Sequence, residues 1–248
     1  MIEFKLRLPK PHPAQKKMLD RSSRFNAVCM GEGAGKTTLG IEVLLASKRG
    51  ALNGNAPVGW FSANQEGLDN AIRAVVRALG PIIKRRIGNR KLELILGNSI
   101  FFYSLDDRPD VFEQFGLIVI DDARKAPAFL STYENLLVDC LHTHTGDAWF
   151  LSGAYGKKND FYRLFQSGLT DPDWSCWQFD SECNPFLTDA IKADMQSVTD
   201  PEYRQRFGAE FLEVAIELTR AQRVIGPDES FRQWCERLAS EGLKVDGR

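Results

Sequence analysis

One segment constrains this chain more than any other: Gly31-Glu32-Gly33-Ala34-Gly35-Lys36-Thr37-Thr38, set between two apolar stretches. Before it, Phe25-Asn26-Ala27-Val28-Cys29-Met30 reads as a short buried strand. After it, Lys36 to Lys48 carries Leu39, Ile41, Val43, Leu44, Leu45 and Ala46, enough to cover a helix face. A glycine-rich turn between strand and helix points backbone N–H groups outward, and the helix N-terminus adds the positive end of its dipole. Such a turn cradles phosphates. In that geometry Lys36 reaches the β- and γ-phosphates of a nucleotide, and the Thr37 hydroxyl ligates Mg2+. The strict pattern G-x-x-x-x-G-K-S/T asks for glycine where Met30 stands.

The alternation of strand and helix continues along the chain. Val58-Gly59-Trp60-Phe61-Ser62-Ala63 predicts a second buried strand, and Leu68, Ile72, Val75, Val76 and Leu79 follow at helical spacing up to Gly80-Pro81. Leu92 to Leu96 and Ser99 to Tyr103 flank Gly97-Asn98 as a hairpin. Leu117-Ile118-Val119-Ile120 is an apolar run that closes on Asp121-Asp122. Trp149-Phe150-Leu151 precedes Ser152-Gly153, and Trp177-Gln178-Phe179 reads as a last strand. Continuous apolar strands alternating with helices imply an α/β fold, here a phosphate-loop NTPase with a mostly parallel central sheet flanked by helices. From about Asn184 the pattern changes to short helices, Asp189 to Ser197 and Pro201 to Leu212. A charged amphipathic helix, Ser230 to Leu243, follows the break at Gly226-Pro227-Asp228. The expected organisation is a nucleotide domain over residues 1–213, its core running to about 180 with a small helical lid after it, and a charged helical tail over 214–248.

Hydrophobic residues at 43% and charged residues at 26% exclude a disordered chain. No apolar run approaches the ~20 residues that cross a bilayer, and the first twenty residues lack the apolar core of a secretory signal. A cytoplasmic protein without membrane contact is therefore expected. With 32 basic and 33 acidic residues the net charge is −1, so any binding to nucleic acid must use a local basic patch. Cys29, Cys140, Cys176, Cys183 and Cys235 contain no C-x-x-C pair and read as buried free thiols rather than a disulfide framework or zinc site.

The acidic pair Asp121-Asp122 gains meaning beside the glycine-rich loop. In nucleotide-hydrolysing α/β folds an acid at the end of a buried strand holds Mg2+ through water, and the next acid orients the attacking water. With both motifs in place the sequence resembles the ATPase half of the large terminase subunit of tailed bacteriophages, from the N-terminus to about residue 213. Leu8-Pro9-Lys10-Pro11-His12-Pro13-Ala14-Gln15 is similar to the family's adenine-side segment, with Gln15 at the adenine-contacting glutamine. The family's loop also lacks the first glycine, as at Met30. Ser104 to Asp110 resembles the segment before the acidic strand. Ser152-Gly153-Ala154-Tyr155-Gly156-Lys157-Lys158-Asn159 resembles the segment that couples hydrolysis to movement, and Asn184-Pro185-Phe186-Leu187 and Tyr203 to Leu212 resemble the closing segments.

The resemblance implies ATP and Mg2+ as cofactors. It implies a nucleotide-binding set of Gln15, Gly31, Glu32, Gly33, Ala34, Gly35, Lys36, Thr37 and Thr38, metal ligation by Thr37 and Asp121, and catalysis by Lys36 and Asp122. Ser152, Gly153 and Asn159 would couple the chemistry to motion. It further implies packaging of double-stranded DNA into procapsids in the bacterial host cytoplasm, by a ring of subunits working with a portal protein and a small terminase subunit. Three positions depart from the family: Asp122 where glutamate is usual, Glu32 where the loop commonly has arginine, and Glu113 where an arginine reaches a neighbouring subunit's nucleotide. Arg108 is near enough in sequence to substitute for the last. The family continues into a metal-dependent nuclease, and the roughly 35 residues after Leu212 are too few for one, so no nuclease activity is expected of this chain: either the nuclease is a separate protein and a candidate partner, or the sequence is cut from a longer chain, or this is a shortened ATPase with a modified task.

For DNA, the candidate grips are Lys84-Arg85-Arg86 with Arg90-Lys91, expected in a loop between a helix and the hairpin, then Lys157-Lys158, and Lys10 with Lys16 and Lys17. Two other readings share the same motifs: a helicase-like or repair ATPase, and a nucleotide-gated assembly or DNA-binding subunit with little hydrolysis.

Overall fold

The computed structural model describes residues 4–106, 111–126 and 129–213. Eight strands form one sheet: β1 (Phe25–Met30), β2 (Val58–Ser62), β3 (Ile83–Ile87), β4 (Lys91–Leu94), β5 (Ser99–Ser104), β6 (Leu117–Asp121), β7 (Asp147–Ser152) and β8 (Trp174–Phe179). Their spatial order is β3-β4-β5-β2-β6-β7-β1-β8. From β5 across to β8 in that order every pairing is parallel, while β3 and β4 add an antiparallel edge. The expected α/β sheet, mostly parallel and flanked by helices, is what the chain forms.

The helices are α1 (Pro13–Asp20), α2 (Lys36–Ala46), α3 (Gln65–Leu79), α4 (Phe129–Thr132), α5 (Val138–Leu141), α6 (Asp160–Gly168), α7 (Asp189–Ser197) and α8 (Asp200–Arg206), with a π-helical turn joining α4 to α5. Side chains alternate across the sheet with period two, which explains the unbroken apolar runs. Val28, Met30, Trp60, Val119 and Leu151 pack on one face with the buried residues of α2 and α3. Cys29, Phe61, Ile120 and Phe150 pack on the other, with residues of the α4–α5 stretch and α6. Both faces are covered, so each central strand had to be apolar throughout. Helix α3 begins where the Asn64 side chain accepts the Gly67 N–H at 2.9 Å, and it buries Leu68, Ala71, Ile72 and Val75 before Gly80.

Four expectations need adjustment. Lys84, Arg85 and Arg86 lie not in a loop but on β3, the edge strand, where Ile83 to Ile87 is mostly exposed and carries no apolar alternation to read. The hairpin strand begun at Leu92 stops at Leu94, leaving Ile95 and Leu96 exposed at the turn. The helix expected over Pro201 to Leu212 is the shorter α8. It ends because Phe207 is fully buried and the chain turns at Gly208 and Ala209, the latter at φ 56°. Helices α1 and α6 add to the elements expected from sequence. The helix expected over 230–243, the tail over 214–248, Cys235 and Arg108 lie outside the described residues.

Candidate nucleotide site

Parallel pairing sets the site at the carboxyl ends of the strands. The register aligns Cys29 with Ser152, and Leu151 with Asp121, so the ends of β1, β7 and β6 come level. Ligands of open α/β sheets bind outside such ends. The glycine-rich loop leaves β1 here. Gly33 and Gly35 adopt φ of 77° and 91°, the left-handed region where a side chain is strained, and Gly35 is the N-cap of α2.

The loop and the acidic strand meet directly. The Thr37 hydroxyl donates to Asp121 Oδ2 at 2.9 Å across 84 residues of sequence. Asp121 is buried, and burial pushes its carboxyl up to about 6 although the Thr37 bond pulls the other way. A buried carboxylate beside a hydroxyl at the foot of a phosphate loop fits Mg2+: the divalent charge would relieve the burial that now disfavours ionisation. Lys36 folds back beneath the loop, with Nζ donating to the carbonyls of Met30 and Gly31, each at 2.9 Å. Burial pushes its ammonium below the usual lysine range and Arg124 pushes the same way, while Asp122 and Asp121 oppose them.

Asp122 follows with φ 59°. Its carboxylate receives Lys125 Nζ at 2.6 Å and Arg124 Nε at 3.3 Å. Burial works against its charge, yet Lys125, Arg124 and Lys36 together hold it below the ordinary carboxylate range. Arg124 is absent from the residues picked out by sequence, and it is the hub of the site. Its backbone N–H donates to Ser152 Oγ at 3.1 Å, its carbonyl accepts from Asn159 Nδ2 at 2.9 Å, and Nη1 donates to the Ala154 carbonyl at 2.7 Å. A Cβ at Gly153 would sit 3.4 Å from the guanidinium carbon. Ser152, Gly153 and Asn159, expected as coupling residues, thus converge on one residue next to Asp122. Asn159 also caps α6 through the Phe161 N–H at 2.9 Å.

On the opposite side of the loop, Gln15 Nε2 donates to the Gly35 carbonyl at 2.9 Å and its Oε1 accepts the His12 N–H at 3.0 Å. His12 Nε2 lies 3.0 Å from the Ala34 carbonyl, so this segment braces the loop. Glu32 points the other way, to Arg206 on α8, in the segment expected from sequence to form a lid. Its carboxylate accepts from Arg206 Nε and Nη2 at 2.9 and 2.8 Å, and its backbone N–H donates to the Arg206 carbonyl at 2.7 Å. Arg206 also donates to Asp194 and Glu202, each at 2.7 Å. Ser181 Oγ donates to the Glu32 carbonyl at 2.6 Å and Asn184 Nδ2 to that of Gly33 at 2.8 Å. The departure at position 32 has a physical partner: the loop supplies an anion and the lid supplies the arginine. Among the other residues of the nucleotide set, Ala34 is buried and Thr38 is exposed on the first turn of α2.

Glu113 accepts a hydrogen bond from the Tyr103 hydroxyl, whose ionisation is pushed up by burial first and by Glu113 second. Lys84, Arg85, Arg86 and Arg90 are exposed along the sheet edge, whereas Lys91 pairs with Glu93 at 2.9 Å and Lys157 with Glu213. Lys10, Lys16 and Lys17 are exposed. Among the described residues no helix is long and apolar enough to cross a membrane. The signal that could have found Arg124 is its spacing from the acidic pair. The lid arginine carried none, since charge on a short helix looks like a solvated face.

No protein-family model and no curated protein matches the sequence. Solved structures do. The large terminase ATPase domain of Thermus phage P74-26 superposes with a TM-score of 0.65 at 19% identity, over 82% of this chain and 94% of that one. The large terminase of another thermophilic bacteriophage, solved in complex with ATP-gamma-S, gives 0.63 at 14% identity over 81% of this chain and 53% of its own. The large terminase of bacteriophage HK97 gives 0.58 at 12% identity over 94% and 47%. The chain thus spans about half the length of the last two proteins and nearly all of the P74-26 domain. It shares their fold.

Proposed function

We propose that this chain, with the fold of phage large-terminase ATPase domains, is the ATP-hydrolysing motor subunit that packages double-stranded viral DNA into procapsids. The observation that carries the reading is the Thr37–Asp121 hydrogen bond, which brings the phosphate loop and the acidic strand to one point. In this reading the N–H groups from Gly33 to Thr38 hold the phosphates, with Gly31, Glu32 and Ala34 shaping the loop. Lys36 swings from the Met30 and Gly31 carbonyls to the β/γ oxygens, and Gln15 supports the adenine side. Thr37 and Asp121 would hold Mg2+, whose charge would offset that developing on the phosphates. Asp122 orients the attacking water. Ser152, Gly153 and Asn159 pass the change in occupancy along β7 and into α6.

By the same reading the active assembly is a homo-oligomeric ring on duplex DNA in the host cytoplasm, docked on a portal protein and served by a small terminase subunit. Contacts to DNA phosphates suffice for movement that must ignore sequence, and the exposed edge of Lys84, Arg85, Arg86 and Arg90 offers them. The test is Mg2+-dependent ATP turnover by the purified chain beside Lys36→Ala and Thr37→Ala. Turnover lost in both variants supports the reading. ATP binding with turnover no greater than in Lys36→Ala would leave a nucleotide-gated subunit instead.

A further inference from the structure

Phosphoryl transfer develops charge on the terminal phosphate that a second cation, beyond the loop lysine, commonly meets, and an arginine can supply it from the same chain or from a neighbour. We propose that Arg124 is that arginine and that it acts in cis, leaving Asp122 for the terminal phosphate when ATP occupies the loop. The inference rests on the ATPase reading given above.

Four observations lead there. Asp121 is held by the Thr37 hydroxyl at 2.9 Å, and Asp122 is the next residue, so on the ATPase reading the acidic pair stands at the terminal-phosphate end of the loop. The Arg124 guanidinium touches Asp122 at 3.3 Å and the Ala154 carbonyl at 2.7 Å. These use two of the five N–H donors of a guanidinium and leave an edge of its planar fork for phosphate oxygens. Arg124 is also close enough to Lys36 for the two charges to oppose each other, an arrangement that an anion between them would relieve. Finally, the backbone of Arg124 is pinned on both sides, by Ser152 Oγ at 3.1 Å and Asn159 Nδ2 at 2.9 Å, so only the side chain has to move.

The transfer has a consequence for Asp122, whose carboxylate is occupied by Arg124 and Lys125. Once Arg124 turns to the phosphate, one carboxylate oxygen is released to accept a hydrogen bond from the attacking water. Binding of ATP and arming of the water-orienting acid become one event. ADP, lacking the terminal phosphate, leaves Arg124 on Asp122.

The experiment compares the wild-type chain with Arg124→Ala and Arg124→Lys, measuring kcat and the affinity for ADP. Arg124→Ala is expected to lower kcat by about 100-fold or more while ADP affinity stays within about twofold, and Arg124→Lys to recover part of the loss. A merely structural role would weaken ADP binding along with kcat. Mixing then separates cis from trans: Arg124→Ala keeps an intact loop and Lys36→Ala keeps an intact arginine. A cis arginine predicts that equal mixtures stay as inactive as either variant alone. Recovered turnover in the mixture, or an Arg124→Ala kcat near the wild-type value, would overturn the proposal and leave the ATPase reading standing. Absence of turnover in the wild-type chain would overturn both.

Discussion

Asp122 sits at a positive φ of 59° with two cations on its carboxylate, a strained backbone position for a residue other than glycine. Such strain concentrates at functional positions, and a side chain shorter than glutamate by one methylene, ~1.5 Å, is held in place by that backbone. Asp122→Asn keeps the shape and removes the charge, so turnover should fall by about 100-fold or more while nucleotide affinity is retained, as a titration with a fluorescent ADP analogue would report. Equal loss of binding would move Asp122 out of catalysis and into the loop's architecture. Gly31 is a second single-residue case. A Cβ there would lie 2.2 Å from the Phe207 carbonyl oxygen, which is backbone and cannot yield. Gly31→Ala should cost about 2 kcal/mol or more in denaturant unfolding, although its own backbone needs no left-handed φ. The cysteines complete this scale: burial pushes Cys29 up to about 12 and Cys140 up to about 11. Thiolate is the reactive form, so both should resist an aromatic disulfide reagent at pH 8 and react only on unfolding. Rapid labelling of either in the native chain would contradict their placement in the core.

Between elements, the decisive joint is the one from the phosphate loop to the lid. Arg206 lies on the last turn of α8 and serves Glu32, Asp194 and Glu202, so one side chain ties the loop to α7 and α8. Taking the cation from a buried carboxylate such as Glu202 costs more than removing one exposed partner. Arg206→Ala should therefore lower stability by about 3 kcal/mol, and Glu32→Gln, at a half-exposed position, by about 1 kcal/mol or less. Equal effects in thermal unfolding would refute the ranking. This joint is only half legible in the sequence. Glu32 stands out as a departure from a resembling family, but its partner is 174 residues away and neither charge carries any periodicity. By contrast, β1, β2 and β6 can be read directly, because strands covered on both faces must be apolar throughout. Strand β3 cannot, because an exposed edge imposes no such pattern. The same logic explains α8: the run from Tyr203 to Leu212 has helical composition, yet tertiary packing of Phe207 ends the helix early.

Across the whole molecule, the topology does the positioning. Strand β7 lies between β1 and β6, so the segment expected to couple hydrolysis to movement passes directly between the two nucleotide motifs. The motifs and their order are visible in the sequence, whereas their convergence on Arg124 needs the sheet. On the proposed reading, a change at the terminal phosphate would reach this segment through the Arg124 side chain, which bonds the Ala154 carbonyl between Ser152 and Asn159. The exposed basic edge at β3 stands at the opposite side of the sheet from β1 and β8. A motor would feel DNA there and hydrolyse ATP elsewhere. In such a motor the two events are linked. The measurement that tests it most directly is steady-state Mg2+-ATPase activity with and without duplex DNA, for the wild-type chain and Lys36→Ala. The expected result is turnover that duplex DNA stimulates and that Lys36→Ala abolishes under both conditions. Turnover indifferent to DNA across a wide range of duplex and protein concentrations would contradict it.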